Sequence, residues 1–147
     1  MTNEELTRKF FEKDGYVRLS GIEIVKIADD EVTVRAKIKE EHLNANGAVQ
    51  GGMLYTLADF AFAVLGNHLH PMTVTQGGHI HYLRPAITDE VTATATERIR
   101  AGHNTVSDVT IYNGKGETVC VCTFNGFVKD ADREELKAKY TKESTKV

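Results

Sequence analysis

The chain has 147 residues, 27% of them charged and 41% apolar, with a formal net charge of −3 at pH 7. This length fits one domain over 1–147 with a core of its own, and weak acidity without a stripe of Lys and Arg among aromatics excludes a nucleic-acid footprint. No basic stretch leads into an apolar one at Met1 and no apolar run is long enough to span a bilayer, so the expected setting is the cytoplasm, with no membrane partner.

The first element predicted is an amphipathic helix over about 3–14, with Glu4 and Glu5 early, Arg8 and Lys9 late, Gly15 as its stop, and Leu6, Phe10 and Phe11 to dock it. Ile22, Ile24 and Ile27 fall in one extended run, and Val32, Val34, Ala36 and Ile38 alternate in the next. With Asp29-Asp30 as the turn, the two runs read as a hairpin. A loop over 42–47 precedes the one long helical pattern, in which Leu54, Leu57, Ala58, Ala61 and Leu65 share a face and Gly66-Asn67 and Pro71 mark the end. Four further strands are predicted at 74–82, 89–99, 104–112 and 117–128, and a charged tail from 130 carries a short helix near Arg133. A helix this apolar must be enclosed, so the fold class is α+β: a curved six-stranded antiparallel sheet wrapped around one long helix. Cys120 and Cys122, two apart on a strand, read as reduced structural thiols.

Between Glu41 and Arg84 the only formal charge is Asp59, set within the apolar helix. A carboxylate among Leu, Phe and Ala loses hydration that an unpaired site cannot restore, so it is expected to be paired or functional. The helix opens on Gly51-Gly52, where a ligand can approach unpaired backbone N–H groups, and the helix dipole favours an oxyanion there. Asp59 lies eight residues further on, about 12 Å along the axis. A carboxylate acting on a carbonyl held at Gly51 must work within about 3 Å of it, directly or through one water. The economical arrangement is a two-fold homodimer with antiparallel helices, in which Asp59 of one chain faces Gly51 of the other. Asn44 in the preceding loop and Thr75 on the next strand can orient an attacking water.

The segment Asn44-Ala45-Asn46-Gly47-Ala48-Val49-Gln50-Gly51-Gly52, with Ala58-Asp59 downstream, resembles the Asn-x-x-Gly-x-x-His-Gly-Gly…Ala-Asp motif of the PaaI-like hotdog-fold acyl-CoA thioesterases. The likeness extends through Tyr82-Leu83-Arg84-Pro85-Ala86 and into Gly126-Phe127-Val128. It implies a hotdog fold, a homodimer that pairs into a homotetramer, an acyl-CoA substrate, and thioester hydrolysis with no metal and no cofactor. By the resemblance, Asp59 is the base or nucleophile, Gly51 the carbonyl-polarising N–H and Asn44 the positioning amide, with Thr75 a hydroxyl in the site. Gln50, Gly52, Tyr55 and Arg84 are further candidates for substrate contact.

Gln50 stands where the family has His; it keeps a donor and an acceptor but cannot titrate near neutral pH. Two rival readings therefore stand beside the thioesterase. One is a non-catalytic acyl-CoA binder. The other is a hotdog hydratase of enoyl or hydroxyacyl thioesters, which needs a His paired with a carboxylate and has only His42 near the loop. Asp59 can also be a structural bridge between helices at a dimer interface. The pairs His68/His70 and His79/His81 have strand-like spacing but no acidic or Cys companion, which argues against a metal site.

Overall fold

The computed structural model describes residues 1–145. Its elements are α1 (Asn3–Phe11), α2 (Gly15–Leu19), β1 (Ile22–Ile27), β2 (Val32–Lys37), α3 (Gly51–Leu69), β3 (Thr73–Tyr82), β4 (Glu90–Ala101), β5 (Asn104–Asn113), β6 (Thr118–Val128) and α4 (Arg133–Thr145). The strands form one antiparallel sheet in the order β1-β2-β4-β5-β6-β3, and α3 packs against it. This is the expected α+β arrangement of a six-stranded sheet around one long helix. The five residues that share the helical face, Leu54, Leu57, Ala58, Ala61 and Leu65, are all buried. They meet Val34, Ala36, Val91, Ala93, Val109 and Ile111 from the inner strands.

Three boundaries differ from the sequence reading, each for a local reason. The N-terminal segment is two helices, because Asp14 accepts from the Val17 N–H at 3.2 Å and so caps a second start, α2, beyond the stop at α1. α3 runs through Gly66-Asn67 to Leu69. Gly66 is there to admit β3: a Cβ at that position would stand 2.9 Å from Thr73 Cγ2. Asn67 turns its amide to the carbonyls of Ala63 and Thr73 at 2.8 and 3.0 Å, which ties the helix to the strand. The C-terminal helix is longer than expected and begins with Arg133, whose guanidinium donates to the last-turn carbonyls of Asn67 and His68. A cation there complements the negative end of α3.

β1 and β3 are the sheet edges, and they leave a lengthwise opening along α3 that α1 and α2 cover in part. Among the described residues, β3 pairs as a strand with β6 alone, although it is ten residues long and mostly exposed. Such an edge is a template for another strand. Among the described residues, no helix is long and apolar enough to cross a membrane.

Candidate active site

The site is built on the first turn of α3. Gln50 is its N-cap, with extended φ and ψ of −64° and 136°, and its side-chain Oε1 accepts from the Met53 N–H at 3.1 Å. Gln50 C=O takes the N–H groups of Met53 and Leu54 at 3.0 and 3.2 Å. A Cβ on residue 52 would lie 2.7 Å from the capping oxygen, so the cap closes because Gly52 has none. Among the described residues, no acceptor faces the N–H groups of Gly51 and Gly52. Two backbone donors at the positive end of a 19-residue helix are thereby left for a ligand oxygen.

Asn44 shapes the approach. Its Oδ1 accepts from the N–H groups of Asn46 and Ala48 at 2.9 and 3.1 Å, and its own N–H donates to Ala48 C=O at 2.7 Å. The carbonyl half of the amide therefore holds the loop, and the NH2 half carries the remaining donors. Asn44, Gly51, Gly52, Tyr82, Leu83 and Arg84 line one groove of about 530 Å³. A second cleft of about 680 Å³ lies beyond Gln50, against Tyr16, Leu19, His42 and Met53. The helix entry thus stands between two spaces. Arg84 donates to Glu117 at 3.0 Å on an exposed rim.

Asp59 belongs to a different part of the same helix. It is half-buried, and Thr75 on β3 donates a hydroxyl to its Oδ1 at 2.7 Å. Burial pushes its carboxyl above the ordinary range, the Thr75 hydrogen bond opposes that, and the negative charge of Asp14 adds to it. Tyr55, one turn earlier, stacks edge-on against Phe124 at 5.3 Å, and its phenol is raised by burial and by Asp59. The structure thus makes two groups of the candidates. Asn44, Gly51, Gly52 and Arg84 share a groove with Gln50 capping behind them, and Asp59, Thr75 and Tyr55 gather further along α3. The eight-residue offset from Gly51 to Asp59 keeps the groups about 12 Å apart within one protomer.

Other sequence candidates are engaged elsewhere. His42 Nδ1 accepts from the Lys39 N–H at 2.9 Å, so Nε2 carries the proton and donates to Ser20 C=O at 2.8 Å. Neither ring nitrogen is left for acid-base work on a substrate. His68 pairs with Asp29 and His70 with Glu97, in separate places. Among the described residues, no group of three or more His, Cys, Asp or Glu is placed to hold a metal ion. Burial pushes the Cys120 and Cys122 thiols up to about 11 and about 12, so both remain protonated. Among the aromatics near α3, Phe62 stacks on Phe124, Phe60 meets Phe11, and Tyr82 lies over Gly51. The Tyr82 hydroxyl donates to Gly51 C=O at 2.8 Å, a contact that the sequence reading does not anticipate.

Comparison with known proteins places this geometry. The family described as a domain of unknown function, DUF4442, matches residues 2–128. The chain is 31% identical over 112 residues to the acyl-coenzyme A thioesterase PaaI of Escherichia coli (strain K12), covering 76% of this chain and 80% of that one. The structure of the E. coli PaaI protein from the phenylacetic acid degradation operon superposes with a TM-score of 0.83 at 26% identity, over 88% of this chain and 94% of that one. A hypothetical thioesterase of Streptococcus pneumoniae TIGR4, solved with coenzyme A, gives a TM-score of 0.75 at 32% identity, over 82% and 95%. With its sheet wrapped on α3, its glycine-marked helix entry and these relatives, the chain belongs to the PaaI-like family of hotdog-fold thioesterases.

Proposed function

We propose that the protein is an acyl-CoA thioesterase that works as a two-fold dimer with composite sites. The observation that carries this reading is the division of labour on α3: unpaired Gly51 and Gly52 N–H groups at its entry, and a half-buried, Thr75-held carboxylate about 12 Å along it. Neither group suffices alone for acyl transfer, and one chain cannot bring them to the same atom. An antiparallel copy of α3 can. The unpaired, exposed edge of β3 and the opening beside α3 supply the surface for that copy.

In this reading the thioester oxygen accepts from the Gly51 N–H. The acyl group and the pantetheine arm leave that point in opposite directions, into the two spaces that flank Gln50. The Asn44 NH2 group orients water. Asp59 of the partner subunit takes a proton from that water as its oxygen attacks the carbonyl carbon. The C–S bond then breaks, the electron pair stays on sulfur, and the carboxylic acid returns its proton to the departing thiolate. The acid and free coenzyme A are the products. Burial raises Asp59 above an ordinary surface Asp, which makes its carboxylate the stronger base.

Gln50 favours one rival reading, a binder that does not turn over, because its side chain acts here as a helix cap with no titratable group. Release of free thiol across short, long and aryl acyl-CoAs, for the wild type and Asp59→Asn, separates the two. Hydrolysis that needs Asp59 supports the thioesterase; binding without thiol release selects the binder; hydrolysis undiminished in Asp59→Asn refutes the mechanism.

A further inference from the structure

We infer that Tyr82 is a positioning residue for the reaction: its hydroxyl locks the peptide that presents the second backbone donor at the entry of α3. The inference rests on the thioesterase reading. Each free N–H at the entry belongs to a peptide whose carbonyl is held from behind. The Gly51 N–H shares its peptide with Gln50 C=O, which the N–H groups of Met53 and Leu54 hold at 3.0 and 3.2 Å. The Gly52 N–H shares its peptide with Gly51 C=O, which accepts the in-helix bond from the Tyr55 N–H and, as a second donor, the Tyr82 hydroxyl at 2.8 Å. A peptide is planar, so fixing the oxygen fixes the direction of the N–H across from it. A hydrogen bond to the oxygen also polarises that N–H and makes it a better donor. Donors that need no reorganisation as charge develops are those that lower a barrier.

The ring adds a steric role. A Cβ on residue 51 would lie 3.3 Å from both Cζ and the hydroxyl of Tyr82, so the ring rests on Gly51 and walls the groove that Asn44 and Arg84 also line. Tyr82 is nevertheless 51% exposed. An exposed phenol with its proton committed to a glycine carbonyl is a costly way to fill space and an economical way to aim a peptide. The same strand holds the other half of the chemistry, because Thr75 near the start of β3 donates to Asp59 at 2.7 Å. β3 therefore pins both working points of α3, the acid through Thr75 and the Gly52 donor through Tyr82. Tyr82 does not serve as the acid or base: burial raises its phenol, and its proton already has an acceptor.

The test is Tyr82→Phe, which keeps the ring and removes only the hydroxyl. With an acyl-CoA that the wild type hydrolyses, kcat falls about tenfold, KM stays within about twofold, and the pH midpoint of activity does not move. In the free protein carrying carbonyl-13C and amide-15N glycine, the Gly51 carbonyl and Gly52 amide resonances shift in Tyr82→Phe while those of distant glycines hold. Unshifted resonances overturn the inference, as does a kcat within twofold of wild type or a loss that falls wholly on KM. Tyr82→Leu, which also removes the wall, is expected to lose more than Tyr82→Phe; equal activity of the two variants, both at wild-type level, overturns it as well. A wild type that releases thiol from no acyl-CoA defeats the functional reading instead, and the resonance shifts still report whether the peptide is held.

Discussion

Two partly buried carboxylates, Asp59 in the middle of α3 and Glu97 beside its C-terminal end, meet opposite environments. Glu97 accepts from Thr105 Oγ1 and from His70 Nε2, the latter at 2.7 Å, and Arg100 donates to the other nitrogen of the same imidazole at 3.0 Å. Burial raises its carboxyl, but Thr105, His70 and Arg100 together outweigh burial and hold it below the usual range. Among the described residues Asp59 has one donor, Thr75, and burial wins. A carboxylate saturated with donors stabilises the fold and is a poor base. One that is left short of donors costs stability and gains basicity.

Replacing each acid by its amide separates them most widely. Asp59→Asn is expected to lower kcat by about 10²–10⁴-fold, the contribution of a positioned base, in a thiol-release assay. It should also raise Tm, by about 2–4 °C for each kcal/mol relieved, since Asn keeps the Thr75 acceptor without the buried charge. Glu97→Gln should behave conversely, retaining at least half of the activity while losing about 1–3 kcal/mol of stability in a denaturant titration. A variant pair in which both lose activity equally would erase the contrast.

The pH dependence of stability sharpens it. Glu97 has a lowered carboxyl, so its contribution is complete above the unfolded value near 4 and is lost as pH falls through the lower folded value. Asp59 has a raised carboxyl, so its cost is absent below that unfolded value, grows as pH rises toward the folded one and is constant above it. The gain of Asp59→Asn should therefore appear at neutral pH and vanish in acid. Activity should rise with pH along one limb whose midpoint lies above that of a surface Asp. The smallest expected effect belongs to Gln50→Ala: loss of the cap costs about 1 kcal/mol in a thermal melt and lowers kcat only a few-fold, with no change in pH profile.

The apolar period of α3 and the alternation in β2, β4, β5 and β6 are legible in sequence because burial on one face or all round writes directly into residue choice. The lone charge at Asp59 is legible for the same reason. The run of α3 past Gly66-Asn67 is not, because it depends on Thr73 closing over a residue that has no side chain. Gln50 shows in sequence only as a substitution for His, and its capping bond to Met53 emerges from the turn geometry. The Thr75–Asp59 and Tyr82–Gly51 contacts join residues 16 and 31 apart across two elements, which no local pattern encodes.

The central claim is that each site takes its N–H donors from one chain and its carboxylate from the other, and mixed dimers test it most directly. Gly51→Pro removes the donor at a first-turn position whose backbone accepts proline, with the exposed Tyr82 ring shifting to make room, and Asp59→Asn removes the acid. Each variant alone should be nearly inactive. Co-expressed at equal levels, they should recover about one quarter of wild-type activity, because half of the dimers are mixed and each of these has one intact site of two. Co-expression that recovers nothing, with mixed dimers present, would place the donor and the acid of each site on the same chain and contradict the account.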